Sequence, residues 1–428
     1  MAIDTPDWVK SAVIYEVFPR NHSADGTFMD IFGDLERIKS LHTDILWLMP
    51  IHPIGISGRK GTLGSPYAIR DYRAVNPELG DPRTLQMVID KAHSLGMKVM
   101  IDVVYNHTSR DSVLLGEHPE WFLKNPEGKF ATKVPDWWDV YDLDYRRPDL
   151  WKYQIETLEQ WVDFGVDGFR CDVAPLVPLD FWLAARDRLG RKKEVIWLAE
   201  SIEKSFVKYV RDRGYIAHAD PQLHAAFDLT YDYDGFEYLK DYFQGKRPLS
   251  DYLNHLYIQE TLYPEEAVKL RFLENHDNPR AADVIRGRDC LLNWIVFYAL
   301  LPGATLIHAG QEIGATKTPS LFEKDPVSWK DADVELMSFM QNVLGFAKDI
   351  KGICKKFAVR ELLAEGVVKL TWLGDDIAYI ALLNLANKYG EIQVDGLGEA
   401  EICLGDAGSD LRTFRIERMP VLVKIPAV

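Results

Sequence analysis

Eight short segments that are apolar almost throughout recur along this chain, and their spacing constrains the fold more than any other feature. They are residues 12–18, 45–51, 98–105, 166–173, 195–201, 226–231, 270–276 and 305–309. Apolar runs that do not alternate with polar residues indicate parallel strands buried on both faces. Helix-like patterns separate them, as at residues 35–41, 84–95 and 150–164. This alternation predicts the α/β class and a closed (β/α)₈ TIM barrel, with an open doubly wound sheet as the alternative.

Two stretches interrupt the alternation. Residues 108–149 are rich in Pro and Trp and poor in helical pattern, and so long an excursion within a compact domain is commonly functional. From residue 357 onward short alternating strands appear, such as 367–372 and 377–384, with a hairpin-type turn at 374–376. We therefore predict a barrel domain A at residues 1–107 and 150–350, an inserted domain B at 108–149 and a C-terminal antiparallel β-sandwich, domain C, at 351–428.

Charge and composition exclude some classes of partner. The formal net charge is −15, which disfavours a nucleic-acid or anionic-membrane partner but not a neutral sugar. No segment approaches a membrane span, and residues 1–8 lack the pattern of a signal peptide. The cysteines, at 171, 290, 354 and 403, show no metal-ligand spacing and suit a reducing compartment. We expect a cytoplasmic protein, and nothing in these patterns predicts its oligomeric state.

Polar residues stand where four of the predicted strands end. They are Asp102, Asn106 and His107 on the third strand, Arg170 and Asp172 on the fourth, Glu200 on the fifth, and His276 and Asp277 on the seventh. In a (β/α)₈ barrel the catalytic groups lie at the C-terminal ends of strands, because the following loops converge on one face. Burying unpaired charge is costly. Four such strand ends therefore predict one shared active site rather than four separate structural carboxylates, and for Asp102 we favour a role in bracing the barrel.

These four strand ends resemble the four signature regions of the α-amylase family, glycoside hydrolase family thirteen. The similarity extends to residues 65–72 before the third strand and 310–312 after the eighth, and it runs in the family's order from about residue 8 to residue 420. The resemblance implies a barrel with an inserted domain B and a β-sandwich domain C. It also implies that Asp172, Glu200 and Asp277 are the catalytic carboxylates, acting on an α-glucan oligosaccharide.

The two main carboxylates can also be interpreted from their surroundings. Retaining cleavage of a glycoside needs a carboxylate nucleophile and a carboxylic acid about 5–5.5 Å from it. Arg170 lies two residues before Asp172, so both side chains point to one face and the guanidinium is expected to keep Asp172 ionised and oriented. Glu200 follows the apolar run 195–199, an environment that raises the pKa of a carboxyl toward that of a general acid.

The resemblance assigns further sugar contacts. Asp277 would bind hydroxyls of the sugar being cleaved, and His107 and His276 would donate hydrogen bonds to it. Tyr67 would offer its ring as a stacking floor, and Asp325 would match a carboxylate that contacts the sugar on the non-reducing side. The pair Trp137 and Trp138 is either a stacking platform or the small core of domain B.

One departure from the family concerns calcium. Many α-amylases carry a Lys-His pair three and four residues after the nucleophile, which supplies a sugar contact and a backbone ligand to a structural calcium ion. Here those positions hold Pro175 and Leu176. Asn106 matches a usual calcium ligand and Asp142 lies in the right region, so the resemblance still admits a structural Ca²⁺, while the chemistry itself needs no cofactor.

Taken together, these features predict a retaining hydrolase of α-1,4-glucosidic bonds in maltodextrins. A 4-α-glucanotransferase is the alternative, because it uses the same covalent intermediate with a sugar hydroxyl in place of water. An α-glucosidase or an α-1,6-acting enzyme is a weaker option. A non-catalytic binding relative is disfavoured, because all three carboxylates are present.

Overall fold

The computed structural model describes residues 5–362, 365–395, 397, 400–406 and 412–426. Residues 1–4, part of the segment that lacks a signal-peptide pattern, lie outside the described residues. Across the described residues, none of the helices combines the length and the apolar character that a membrane crossing requires.

The strands of the described residues form a closed barrel and three smaller sheets. In chain order they are β1 (Val13–Val17), β2 (Ile45–Leu48), β3 (Lys98–Val103), β4 (His107–Ser109), β5 (Val140–Asp142), β6 (Gly168–Cys171), β7 (Ile196–Ala199), β8 (Leu229–Tyr231), β9 (Val268–Arg271), β10 (Ala304–His308), β11 (Lys356–Glu361), β12 (Val367–Leu373), β13 (Ile377–Asn384), β14 (Glu391–Gln393), β15 (Glu401–Leu404), β16 (Thr413–Arg415) and β17 (Val421–Pro426). Strands β1, β2, β3 and β6 to β10 are parallel neighbours, and β10 closes onto β1 with Val13 opposite Thr305. The predicted closed barrel is confirmed, and the open sheet is excluded.

Helices alternate with the barrel strands, apart from α4, which lies in the excursion after β3. They are α1 (Pro19–His22), α2 (Phe28–Ser40), α3 (Pro82–Ser94), α4 (Val113–Glu117), α5 (Pro148–Asp163), α6 (Leu179–Gly190), α7 (Lys204–Asp212), α8 (Asp220–Leu223), α9 (Tyr233–Phe243), α10 (Leu249–Leu262), α11 (Ala281–Val284), α12 (Arg288–Ala299) and α13 (Val334–Ile353). The three predicted helices correspond to α2, α3 and α5. Helix α2 starts earlier than its apolar pattern, because Thr27 and Asp30 cap it: the Asp30 carboxylate accepts the Thr27 N–H at 2.8 Å.

Strand β9 was placed wrongly by the sequence pattern, which predicted residues 270–276. The strand begins at Val268 and ends at Arg271. Two of its residues, Lys269 and Arg271, are charged yet buried, and they pair with carboxylates outside the barrel wall. Paired buried charge interrupts the apolar pattern without interrupting the strand. The polar residues 274–277 therefore lie in the loop after β9, at the mouth of the barrel.

Two further regions flank the barrel. In the excursion after β3, β4 pairs antiparallel with β5, with His107 opposite Asp142. At the C-terminus, a five-stranded antiparallel sheet and a two-stranded sheet enclose one apolar core that includes Ile380 and Phe414, as expected for the antiparallel β-domain. This domain is fastened to the barrel by Trp372, whose indole N–H donates to the Leu300 carbonyl at 2.8 Å.

Candidate active site

A pocket of about 200 Å³ opens at the C-terminal ends of the barrel strands. It is lined by Lys60, Ser65, Tyr67, His107, Trp137, Asp139, Val140, Asp172, Val173, Glu200, His276, Asp277, Leu321 and Phe322. The fold therefore gathers into one pocket the three carboxylates singled out in the sequence, together with Tyr67, His107 and His276. These residues come from the loops after five different strands, as the barrel geometry requires.

The guanidinium of Arg170 forms the base of this site and is fully buried. Its Nη1 atom lies 2.9 Å from Asp172 Oδ1 and 3.0 Å from Asp102 Oδ1, and its Nη2 atom lies 3.0 Å from Glu200 Oε2. The planar fork of arginine suits such multiple contacts with carboxylates. One cation thus holds Asp172 and Glu200 side by side and also binds Asp102.

The backbone immediately after Asp172 is strained. Val173 has a φ of 35° and a ψ of 47°, which is the left-handed region. A β-branched residue rarely adopts this conformation, and such strain is found most often at functional sites. The Val173 N–H donates to Glu200 Oε2 at 2.7 Å. The strained turn therefore supplies a second contact that fixes Glu200 relative to Asp172.

Burial and charge separate the protonation states of the carboxylates. Burial raises the pKa of Glu200 to about 8, and the negative charges of Asp172 and Asp277 add to this against the opposing charge of Arg170. Burial would also raise the pKa of Asp277, but the charge and hydrogen bond of His276 hold it at about 2. At neutral pH, Glu200 therefore carries a proton while Asp277 is ionised.

His276 connects the site to a residue that the sequence analysis missed. Its Nδ1 hydrogen bonds to Glu16 on β1, and its Nε2 lies 3.1 Å from Asp277 Oδ2 and 2.7 Å from the Tyr67 hydroxyl. Burial would lower the pKa of His276, but the charges of Asp277 and Glu16 raise it well above its ordinary value. An ionisable residue inside the buried strand β1 was the signal that could have identified Glu16.

Tyr67 and His107 flank the carboxylates. The Tyr67 ring stacks on His276 with centroids 5.5 Å apart, and its hydroxyl donates to Asp102 Oδ2 at 3.2 Å. Asp102 thus braces both Tyr67 and Arg170, in line with the structural role favoured from the sequence. The His107 Nε2 atom lies 3.9 Å from Asp172 Oδ2.

The two tryptophans of the excursion occupy different environments. Trp137 lines the pocket and contacts His107, with ring centroids 5.4 Å apart, whereas Trp138 is 53% exposed. Lys60 reaches the Trp138 ring at 5.7 Å and bridges to Asp139 at 2.9 Å, so this ion pair joins two segments of the pocket rim. Neither Lys60 nor Asp139 was predicted as part of the pocket.

Asp325 lies in a different place from the other predicted sugar contacts. Its carboxylate pairs with Lys317 and accepts the Ser320 N–H at 3.0 Å. Leu321 and Phe322, from the same loop as Asp325, are among the described residues that line the pocket. Asp325 itself is not among them. The structure thus brings apolar side chains of this loop to the pocket and turns the carboxylate into the loop itself.

The predicted calcium ligands surround a lysine. The Lys133 Nζ atom lies 2.5 Å from Asn106 Oδ1, 3.2 Å from the Leu176 carbonyl oxygen and 3.8 Å from Asp142 Oδ2. Calcium takes six to eight oxygen ligands at about 2.3–2.6 Å. These residues do not fit the ion, since an ammonium group stands between their oxygens. Within the described ranges, no cluster of three or more His, Cys, Asp or Glu residues is arranged to hold a metal.

Comparison with known proteins agrees with this geometry. Residues 16–140 and 118–349 match the family model for the alpha amylase catalytic domain. The chain is 26% identical over 404 residues to alpha-amylase MalA from Haloarcula japonica, a match that covers 90% of this chain and 57% of that protein. It is 35% identical over 217 residues to an alpha-1,4-glucan:maltose-1-phosphate maltosyltransferase from Pseudomonas aeruginosa, which covers 44% of this chain and 32% of that protein. The chain thus spans less than two thirds of the length of these curated relatives.

Two solved structures resemble the chain over its whole length. The crystal structure of an alpha-amylase from Lactobacillus plantarum is 42% identical, with a TM-score of 0.92 and coverage of 98% of this chain and 100% of that chain. That of a noncanonic maltogenic alpha-amylase, AmyB, from Thermotoga neapolitana is 33% identical, with a TM-score of 0.85 and full coverage of both chains. With the barrel, the pocket and the matched family model, these similarities show that the chain belongs to the α-amylase family of glycoside hydrolases.

Proposed function

We propose that this protein is a retaining hydrolase that cleaves α-1,4-glucosidic bonds in soluble maltodextrins. The observation that carries the proposal is the shared contact of Arg170 with Asp172 and Glu200, at 2.9 and 3.0 Å. It places two carboxyl groups beside each other in one pocket, and burial keeps a proton on Glu200. A protonated acid next to an ion-paired carboxylate is the arrangement that retaining cleavage needs.

In the first step, an Asp172 oxygen attacks the anomeric carbon while Glu200 donates its proton to the glycosidic oxygen. The bond between the anomeric carbon and that oxygen breaks, and a covalent glycosyl–enzyme ester forms. Glu200 is now a carboxylate. In the second step it takes a proton from water, the water oxygen attacks the anomeric carbon, and Asp172 is released.

The remaining pocket residues hold the sugar during these steps. Asp277 is ionised and 39% exposed, so it is free to accept hydrogen bonds from sugar hydroxyls. His107 and His276 line the same place and would contact the same sugar, and Tyr67 offers its ring face as a stacking floor. An anionic Asp277 would also stabilise the positive charge that develops on the sugar ring.

Transfer to another sugar is the second candidate function. The match with a maltosyltransferase covers 44% of the chain, and transfer differs from hydrolysis only in the acceptor that attacks the intermediate. The names of the two full-length structural neighbours, an alpha-amylase and a maltogenic alpha-amylase, favour hydrolysis. The weaker α-glucosidase and α-1,6 alternatives are separated by the same experiment.

Purified protein should be incubated with maltoheptaose and with an α-1,6-linked control oligosaccharide, with Asp172→Asn as the inactive control. We expect products shorter than the substrate, from maltoheptaose only, with the α-anomer formed first in a proton NMR time course. Products longer than the substrate would show that the protein transfers sugars and would favour the transferase function over hydrolysis. Absence of any product between about pH 4 and about pH 9 would refute the enzyme proposal.

A further inference from the structure

Lys133 occupies an unusual position for a lysine in the excursion after β3. Its side chain is buried, with only 7% of the residue exposed. Its ammonium group contacts three oxygens that belong to three separate segments: Asn106 at the end of β3, the Leu176 carbonyl after Asp172, and Asp142 on β5. Lysine is rarely buried unless its charge is paired or bound. The contacts indicate that the charge has a structural task.

That task is to join the excursion to the barrel. Asn106 and Leu176 belong to the loops that follow β3 and β6, whereas Asp142 and Lys133 belong to the excursion. Asp142 is fully buried, and its Oδ2 atom also accepts the Lys133 backbone N–H at 2.9 Å. Without a nearby cation this buried carboxylate would be uncompensated, which is strongly destabilising.

The groups that bind the Lys133 ammonium group also adjoin the active site. Asn106 Oδ1 accepts from Lys133, and its Nδ2 lies 3.1 Å from His107 Nδ1. Leu176 lies in the turn that starts at the strained Val173, directly after Asp172. A cation at this point therefore fixes two segments that carry pocket residues.

A divalent ion and the ammonium group cannot share this position. Asn106 Oδ1 accepts a hydrogen bond from the Lys133 ammonium group, and Asp142 Oδ2 accepts the Lys133 backbone N–H and lies 3.8 Å from Nζ. A second cation there would meet repulsion in a buried, low-dielectric setting. We propose that the Lys133 ammonium group replaces a structural calcium ion, so that the excursion is held on the barrel by a cation that the chain itself supplies. The inference does not depend on which glucan the protein cleaves.

Two measurements on the full chain test this. The first is the metal content of protein purified without chelator, together with its Tm in EDTA and in millimolar calcium chloride. We expect substoichiometric calcium and a Tm that differs by less than about 1 °C between the two conditions. One calcium ion per chain, or a clear loss of Tm in EDTA, would overturn the proposal even if no variant can be made.

The second measurement compares Lys133→Met with Lys129→Met, a control in the same excursion whose lysine is 77% exposed. We expect Lys133→Met to lower Tm by roughly 5 °C or more, because Asp142 loses its counter-charge, and Lys129→Met to leave it unchanged. The double variant Lys133→Met/Asp142→Asn should regain part of the loss. Equal Tm values for the two single variants, or a double variant no more stable than Lys133→Met, would contradict the proposal.

Discussion

Two buried clusters of charge lie on the barrel, and only one of them belongs to the pocket. The cluster around Arg170 lies inside the barrel mouth and contains Asp102, Asp172 and Glu200. The cluster on β9 lies outside the barrel wall, where Lys269 and Arg271 pair with Asp220, Asp232 and Asp234. Each includes two charged residues two positions apart along the chain, Arg170 and Asp172 in the pocket and Lys269 and Arg271 on β9. Burial of charge alone therefore does not distinguish a catalytic cluster from a structural one.

The two clusters differ in how far burial raises the pKa of a carboxylate. In the pocket, one guanidinium group pairs with three carboxylates. Burial raises the pKa of Glu200 to about 8, so Glu200 keeps a proton. On β9 two cations serve three carboxylates, and further donors assist. Burial raises the pKa of Asp220 to about 6 even though the charge of Lys269 opposes it. Burial would also raise the pKa of Asp234, but Lys269 and hydrogen bonds from His255 and Gln259 hold it well below its usual value. Each cluster therefore contains a carboxylate with a raised pKa, and the larger rise is that of Glu200 in the pocket.

The largest effect should come from removing Asp172, the proposed nucleophile. Asp172→Asn is expected to lower kcat on maltoheptaose by roughly 10⁴-fold or more, because no covalent intermediate can form, with little change in Tm. The matched variant Asp232→Asn, in the β9 cluster, should lower Tm and leave kcat of the folded protein unchanged. Steady-state kinetics and thermal unfolding of both variants provide the measurement. Near wild-type turnover in Asp172→Asn would remove the distinction between the clusters.

A substitution in the β9 cluster should lower the free energy of unfolding rather than turnover. Arg271 is buried and lies 2.6 Å from Asp232, so Arg271→Met leaves a buried carboxylate unpaired and should cost about 3–5 kcal/mol in the free energy of unfolding. Denaturant titration measures this loss. Arg247→Met serves as control, because Arg247, in the loop after helix α9, forms a half-exposed ion pair with Asp241 on that helix. A loss no larger than that of the control would show that the cluster is not structural.

A pH profile tests the proton on Glu200. The proposed mechanism requires a protonated Glu200, so kcat/KM should fall by about tenfold for each pH unit above about 8. The free energy of unfolding should also fall as the pH rises. The reason is that the folded state binds this proton more tightly than the unfolded chain, whose glutamates have a pKa of about 4.3. Stability from this group is full below that value and is lost as the pH rises toward about 8.

Glu200→Gln is the variant that isolates this group. It should lose activity at every pH and should lack the part of the stability profile that Glu200 contributes. Its Tm relative to wild type should therefore rise between pH 5 and pH 8. A constant difference in Tm across that range would contradict the raised pKa.

The smallest effect should come from the pocket rim. Lys60 is partly exposed and bridges at 2.9 Å to Asp139, which is buried. Solvent around Lys60 weakens this ion pair, so we expect its loss to have a small effect. Lys60→Ala is expected to raise KM for maltoheptaose by roughly two- to fivefold with kcat unchanged. Lys129→Ala, on the same excursion but outside the pocket, is the control. A fall in kcat without a change in KM would show that Lys60 acts on the chemistry.

The barrel and the pocket carboxylates could be predicted because their signals are local. A strand buried on both faces must be apolar at nearly every position, and a polar residue at its end stands out against that run. The same argument failed for β9, where Lys269 pairs with carboxylates on α8 and α9 and Arg271 pairs with Asp232, just before α9. It also overlooked Glu16, whose partner His276 lies 260 residues away.

The sequence by itself determined the number of barrel strands, the excursion, the C-terminal sheet and, except for β9, the places of the strands whose following residues include Asp172 and Glu200. Only the tertiary structure decided which charges compensate one another. Periodicity and apolar runs are properties of neighbouring residues, so they can be read along the chain. Ion pairing depends on distance in space, and the groups that meet at Lys133 are 27 and 43 residues away on the chain. For that reason the resemblance admitted a calcium ion where folding placed an ammonium group.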